Sequence, residues 1–514
     1  MNKYFLIIFV LLNCNKLFSQ SSYSLLFNSS EFDEVIRFVY DDKPNNEQIV
    51  LLDYECEGFD SVCITRQKIY SISNYGDTMQ WPFADRRNDT TFLVNRVIRD
   101  QNGDYFMTGL GYSENNGPLR KVFDYYTKWN SNHEIIWEKF HIRPPDFNPF
   151  MASENIKILE LINGNYLVGM TVTTVDSIMD IRYYFVEVSR LDGIVIKEKV
   201  LDFGGFSYLQ SLTYNLDSTK IMLHSGSAYM KECNRNTEGA IFLDPVTYDT
   251  LGTYCYNRDD DDPLKYWCVV LPYNAKISSD GTLIVAGTGR CINTTNKFVE
   301  HYLFAYKYDA SFNLLSRKFL TNQDTIIDAS WLESLDINDN NEILLVGNHD
   351  RQIGPWSSHY SYIYLAKLDQ NLALVSERYL GGDAYYTAYS MSATSDGGIV
   401  VAGTRFDYMV NDFERDAFVL KTDAGLWVDT PELLEEDIHR ALVYPNPGKS
   451  ELSIRTTIKQ TVFRLFDISN RLLLEQPIDE LITTVNTRSF QAGTYTWTIT
   501  KAGQVCDRGI WIKN

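Results

Sequence analysis

The feature that most restricts what this chain can fold into is a recurring unit, a tight polar turn followed by a run of strand-forming residues that closes on glycine. It reads Asn102-Gly103-Asp104-Tyr105-Phe106-Met107-Thr108-Gly109, and returns at 163–169, 280–287, 340–347 and 396–403. Weaker copies at 217–223 and 46–52 bring the number to seven. After a variable gap each copy is followed by a second strand ending at Asp or Asn: Asn74, Asn130, Asp192, Asp244, Asp309, Asp369 and Asp423. Those positions set a period of about 58 residues, long enough for a supersecondary unit that cannot bury its faces alone. With one strand before the turn and one after the Asp, each unit has four strands. Seven such units predict an all-β fold, a seven-bladed β-propeller over 20–428, with a linear β-solenoid as the alternative. The seventh unit has only Leu426-Trp427-Val428 for its fourth strand, while Tyr23 to Phe27 forms a strand with no unit of its own. The N-terminal strand is therefore expected to complete the last blade and hide the sheet edges that a linear array exposes.

The ends of the chain carry a different message. Met1-Asn2-Lys3, an apolar run from Tyr4 to Leu12 and a polar stretch closing on Ser19 have the three regions of a secretory signal peptide, assigned to 1–19. That run is too short to span a bilayer, and no later apolar run reaches membrane-spanning length. Residues 429–440 form an acidic linker, with Thr430 and Pro431 suited to start a short helix. From 441 to 514, short alternating runs punctuated by turn residues predict a small C-terminal β-sandwich. Its opening, Tyr444-Pro445-Asn446-Pro447, holds two prolines that cannot sit in a central strand.

At these residues the chain resembles a known family. The Pro445-Asn446-Pro447 entry, the Leu452-x-Ile454 strand, Phe466-Asp467 leading to Arg471, the turn and strand from Gly493 to Tyr495 and the basic end at Lys513 match in order. They resemble the C-terminal sorting domain (type A) of Bacteroidetes proteins exported by the type IX secretion system. Two departures are Asn470, where that family has glycine, and Cys506 in the last hairpin. The resemblance implies export through the periplasm to the cell surface or medium, and the secretion machinery as a partner. It implies no chemistry.

Composition bounds the rest. The 34 tyrosines favour strand-rich folds, and a formal charge of −20 argues against nucleic acid as a partner. After loss of Cys14, seven cysteines remain at 56, 63, 233, 255, 268, 291 and 506, none at the spacing of a zinc or redox centre. In an exported chain they read as disulfide staples of undetermined connectivity, with Cys506 the odd thiol.

The longer connections, 112–121, 228–239, 290–301, 348–362, 405–415, 143–153 and 259–273, should emerge on one face of a propeller. That face is expected to hold any ligand site. Tyr112, Trp356, Tyr360, Phe406 and Tyr408 are candidates to stack on a glycan or peptide, with Arg351 and Arg405 as carboxylate partners. Asp259-Asp260-Asp261-Asp262 is a candidate calcium site, set against a solvated charge run. No HExxH, GxSxG or Walker sequence occurs, and Ser278-Ser279-Asp280-Gly281-Thr282 departs from the Asp-box of sialidases. Asp146, Asp383 and Glu333 could pair as acid and base in a glycosidase. The reading favoured by the sequence is a non-catalytic binding or adhesion propeller. A secreted polysaccharide-degrading enzyme and a purely structural surface protein are the alternatives.

Overall fold

The computed structural model describes residues 22–513 apart from 28–32, 56–65, 84–85, 88–89, 114–121, 145–155, 175–176, 203–206, 216, 228–238, 256–265, 294–298, 321–326, 331, 351–358, 410–414, 429–441, 445–447, 457–460, 469–470, 479–481 and 502–503. The chain is all-β among these residues and divides into two compact units, 1–434 and 435–514.

The described part of the first unit holds seven antiparallel sheets, numbered here in chain order: 33–80, 86–141, 157–201, 207–255, 266–320, 327–381 and 385–421. The seventh takes its fourth strand from the N-terminus, Tyr23–Phe27 lying antiparallel to Asp416–Lys421 from Tyr23↔Lys421 to Phe27↔Ala417. Seven apolar clusters join these sheets. One holds Leu51 and Ile69 of the first sheet with Val94 and Tyr105 of the second, and another holds Ile36 and Val50 of the first with Val400 and Val419 of the seventh. The remaining five join second to third, third to fourth, fourth to fifth, fifth to sixth and sixth to seventh. Sheets joined in cyclic order leave no apolar face open, and this is the packing of a β-propeller.

The recurring Asp or Asn has a local cause. Asp309 Oδ1 accepts the backbone N–H groups of Ser311 and Asn313 at 2.8 Å each, and Asp369 and Asp423 do the same for Asn371 with Ala373 and for Gly425 with Trp427. A short carboxylate that mimics a backbone acceptor holds the turn, which after Asp309 and Asp369 leads into the outermost strand of the sheet. Each of these turns bends through a residue of positive φ: Phe312 at 63°, Leu372 at 64° and Leu426 at 65°. Leu372 and Leu426 are buried, so apolar burial offsets a backbone cost of about 1–2 kcal/mol.

Several stretches expected as loops are strand. Tyr266–Ile277 and Leu283–Asn293 form one long ladder that takes in 266–273 and 290–293, Tyr112 lies on Tyr105–Ser113, and Arg405 and Phe406 end Ile399–Phe406. Glycine, proline, cysteine and arginine in these stretches blur period-two patterning, but backbone pairing with the neighbouring strand does not need it. Among the cysteines, the register places Cys268 opposite Cys291 and Cys255 opposite Gly239. No helix among the described residues is long and apolar enough to cross a membrane, which leaves β-barrel spans unaddressed.

The second unit is a β-sandwich. One sheet orders Leu442–Tyr444, Glu451–Arg455 and Ile482–Asn486; the other orders Leu472–Ile478, Thr461–Phe466, Gly493–Lys501 and Gln504–Lys513. Leu452 and Ile454 of the first sheet meet Phe463, Leu465, Trp497 and Trp511 of the second in one core.

Candidate functional site

The first long strand of most sheets carries a β-bulge at a corresponding point. Register shifts fall between Ile36 and Phe38, Val94 and Arg96, Leu209 and Ser211, Pro272 and Asn274, and Ala388 and Ser390. In the sixth sheet the same strand is interrupted outright, Ile327–Ala329 and Leu335–Ile337 both pairing with Ile343–His349. A bulge leaves ladder groups unpaired and bends the strand, so something else must satisfy the backbone. Side chains of the preceding sheet do so. Gln67 accepts from Val94 N–H at 2.7 Å and donates to Val94 C=O at 2.8 Å; Thr171 accepts from Leu209 N–H, Thr288 from Ala329 N–H, and Asn348 both accepts from and donates to Ala388. The glycine that closes the repeat belongs to the same device. A Cβ on Gly109 would lie 1.7 Å from the Leu93 carbonyl oxygen, and one on Gly403 2.0 Å from that of Thr387.

The interrupted strand of the sixth sheet supplies a polar cluster at the ring axis. Leu332 and Glu333 donate their backbone N–H groups to Tyr389 C=O of the seventh sheet at 3.0 and 3.2 Å. The Glu333 carboxylate accepts from Lys157 Nζ of the third sheet at 2.7 Å and from Asn274 Nδ2 of the fifth at 2.8 Å. Asn274 Oδ1 in turn accepts from the Ser334 hydroxyl at 2.9 Å. Third and sixth sheets are not neighbours in the ring, so the segment reaches across the axis. Burial pulls the Lys157 ammonium down to about 8, against the opposing pull of Glu333. Although burial opposes ionisation of Glu333, Lys157, Arg96 and Lys276 hold it below its ordinary value. Beside Leu332, a cavity of about 20 Å³ lined by Arg37, Gln67, Asn95 and Arg96 has room for about one water.

The residues proposed from sequence are scattered relative to this cluster. Arg351, Trp356, Asp259 to Asp262 and Asp146 lie outside the described residues. Tyr112 occupies a strand position rather than a loop. Tyr360 is half-buried with its ring 6.0 Å from Tyr362, and Tyr408 is half-buried in the turn after Ile399–Phe406. Phe406 is 6% exposed and belongs to the interior. Arg405 is engaged within the protein: its guanidinium lies 3.0 Å from Asp383, 3.1 Å from Asp407 and 3.4 Å from Asp416, and donates to the Tyr386 phenol at 3.2 Å. Against the effect of burial, Tyr386 and Asp383 raise its pKa. Among the described residues, no group of three or more His, Cys, Asp and Glu could hold a metal ion. Lys157, Asn274 and Arg96 were not singled out in the sequence, where they stand far apart and in no shared pattern.

In the second unit, Pro445, Asn446 and Pro447 lie outside the described residues. Gly493 opens the strand Gly493–Lys501, and Tyr495 is buried with its hydroxyl donating to Gln491 C=O at 2.5 Å and its ring 5.6 Å from Trp511. Lys513 Nζ donates to Lys449 C=O, and Gly448 N–H to Ile512 C=O at 2.8 Å, so the last strand holds the entry of the module. Asp467 accepts from Arg471 N–H at 3.0 Å and pairs with its guanidinium at 3.0 Å, while Asn470 lies outside the described residues.

No curated protein matches the chain. Among solved structures, PorZ, described as an essential bacterial surface component of the type IX secretion system of Porphyromonas gingivalis, is 10% identical, with 91% of this chain and 74% of that one covered and a TM-score of 0.28. An α-L-arabinanase of Penicillium chrysogenum with arabinobiose is 10% identical over 65% of this chain and 93% of that one, TM-score 0.39. An α-L-arabinofuranosidase of Fusarium graminearum with an iminosugar inhibitor is 9% identical over 64% and 92%, TM-score 0.39. Likenesses this distant carry no argument about activity. Residues 442–513 match the family model of the secretion system C-terminal sorting domain. With the sandwich, its order of strands and its motifs in place, that stretch is a type IX sorting domain, and the protein carrying it is exported to the outer cell surface or secreted.

Proposed function

We propose that the first unit is a seven-bladed propeller acting as a non-catalytic binding or adhesion module, delivered to the surface by its sorting domain. One observation carries the reading. The described groups that sequence offered for chemistry are already engaged in holding the ring together: Glu333 by Lys157 and Asn274, and Asp383 by Arg405. Each of these carboxylates is committed to a charged or polar partner within the protein, which supports a structural role over proton exchange with a substrate. The ligand is a glycan or a protein, taken up on the face of the long connections near Tyr360 and Tyr408. Arg351 and Trp356 belong to the same proposed face, and Asp259 to Asp262 to a proposed calcium site.

The test is a melting-temperature screen of the purified full chain against polysaccharides, short peptides, calcium and a chelator, with product analysis of each hit. A ligand that binds only the folded state raises the melting temperature. A shift without products supports the binding module; products overturn it in favour of a polysaccharide-degrading enzyme. Silence across the panel, with surface phenotype on deletion, favours a structural role.

The facing positions of Cys268 and Cys291 further support a disulfide there. Residues directly opposite in an antiparallel ladder have Cα atoms about 4.5–5.5 Å apart, within the disulfide range. Two thiols lose two protons and two electrons to the disulfide of a thiol oxidant in the compartment crossed during export. Peptide mapping without reduction is expected to recover the two cysteines as one linked pair. Alkylation of both under denaturing, non-reducing conditions rules the bond out.

A further inference from the structure

The cavity beside Leu332 has a lining whose charge runs against that of the chain. Arg37 and Arg96 line it with one carboxylate, Asp53, while the chain as a whole carries −20. Both arginines stand at β-bulges, Arg37 between Ile36 and Phe38 and Arg96 after Val94, and a bulge re-aims the side chain it carries. Arg96 is fixed there: 5% exposed, it lies 4.8 Å over the Phe38 ring and donates Nη1 to Asn95 C=O at 2.8 Å. Arg37 forms the outer wall, with 38% of its side chain exposed and its Nε 3.8 Å from Asp53, too far for a hydrogen bond. Asp53 accepts instead from Gln67 Nε2 at 2.7 Å.

The imbalance continues beyond the wall. Lys157, Arg96 and Lys276 act on Glu333, and Lys276 lies 3.3 Å from Asp336. With Arg37 and Asp53, these described residues place four cations and three carboxylates around the axis. A positive excess away from bulk water is costly, and one anion offsets it. Asp53 and Gln67 stand near the ends of Glu47–Glu55 and Arg66–Ser73 that the connection 56–65 joins. The cavity therefore lies toward the end of the ring where second and third strands are linked.

We propose that this cavity binds a single carboxylate group, held by Arg37 and Arg96, either as a free small acid or as the end of a larger acidic ligand. Its volume of about 20 Å³ admits one small group and not a whole sugar ring. The forked donors of a guanidinium match the two oxygens of a planar acid, a match that a halide does not offer. A dianion would overshoot an excess of one charge. The proposal rests on the binding-module reading and gives it a ligand class.

The first probe is sodium formate, added to the full chain in place of sodium chloride at constant ionic strength. The melting temperature is expected to rise by about 1–3 °C and to saturate, because formate binds the folded state. Arg37→Gln, at a half-exposed position, should abolish that rise, and Arg464→Gln in the sorting domain should keep it. No saturable rise, or one that Arg37→Gln leaves intact, overturns the proposal. A crystal structure in formate should show planar density between Arg37 and Arg96. Density there without a shift in solution means binding at crystal concentration only, and also overturns it. Larger acids then identify the source. A uronate oligosaccharide that acts at lower concentration than formate, and not as its methyl ester, assigns an acidic glycan. A short peptide that does so, and not when amidated at its C-terminus, assigns a peptide; if neither does, the ligand is a free acid. Shifts from neutral ligands that survive Arg37→Gln belong to the long connections near Tyr360 and Tyr408, so the two readings fail separately.

Discussion

At the residue scale the junction where the ring closes is the most informative. Tyr23 of the N-terminal strand donates its hydroxyl to Gln48 Oε1 at 2.8 Å, and Gln48 Nε2 donates to Asp41 Oδ1 at 2.7 Å. Burial raises Asp41 to about 6, against Gln48, Lys421 and Lys43, which lower it. A carboxyl that holds its proton more tightly when folded than unfolded stabilises the fold fully below its unfolded pKa, and that contribution is lost as pH rises through about 6. Asp41→Asn should therefore leave stability unchanged near pH 4 and raise it at pH 7, by at most about 3 kcal/mol. Melting curves across that pH range check the sign. His224 provides a contrast, since burial alone pulls it down to about 3 and it stays neutral through the same range. Glycine 403 makes a second residue-scale prediction. Gly403→Ala drives a methyl group into the Thr387 carbonyl and should cost about 1–3 kcal/mol or more, measured by denaturant unfolding.

At the scale of the element, the bulged first strand and the side chain that captures it are one unit. A glycine allows the bulged backbone to fold over the second strand, and the residue after that glycine serves the next sheet, as Gly287-Thr288 and Gly347-Asn348 do. Asn348→Ala would strand the buried N–H and C=O of Ala388 together. The expected loss is about 1–3 kcal/mol per orphaned group, visible as a lower unfolding midpoint with the slope unchanged. The glycine was legible in the sequence as a repeat mark, but its purpose was not. Nothing in 102–109 says that the obstacle to a side chain is a carbonyl sixteen residues earlier. The long connections were also overextended, because the sequence shows where apolar alternation stops and pairing continues past that point.

At the scale of the whole molecule, the N-terminal strand and the axial segment both bind distant parts of the chain. Deleting Tyr23–Phe27 leaves Asp416–Lys421 as an open edge beside an apolar interface. The truncated chain is expected to melt lower and to associate through that edge, which size-exclusion chromatography and thermal scans report. Lys157→Ala removes the partner that reaches Glu333 across the axis and leaves the carboxylate uncompensated, a change expected to cost about 3–5 kcal/mol.

By itself the sequence determined what short-range chemistry can specify. The Asx turns, the strand runs and the count of repeats are written within stretches of a dozen residues, and the sorting domain is legible because its motifs stand in linear order. The sequence also anticipated the N-terminal strand in the seventh sheet, since a unit lacking a strand and a strand lacking a unit can both be seen without coordinates. Only the tertiary structure decided which polar residues meet. Lys157 and Glu333 are separated by 176 positions and share no pattern, yet ring geometry sets them 2.7 Å apart. Arg405 looked available for a ligand until Asp383, Asp407 and Asp416 were seen around it. Side chains from different sheets converge because the ring closes, and closure belongs to the apolar interfaces taken together rather than to any segment of the chain.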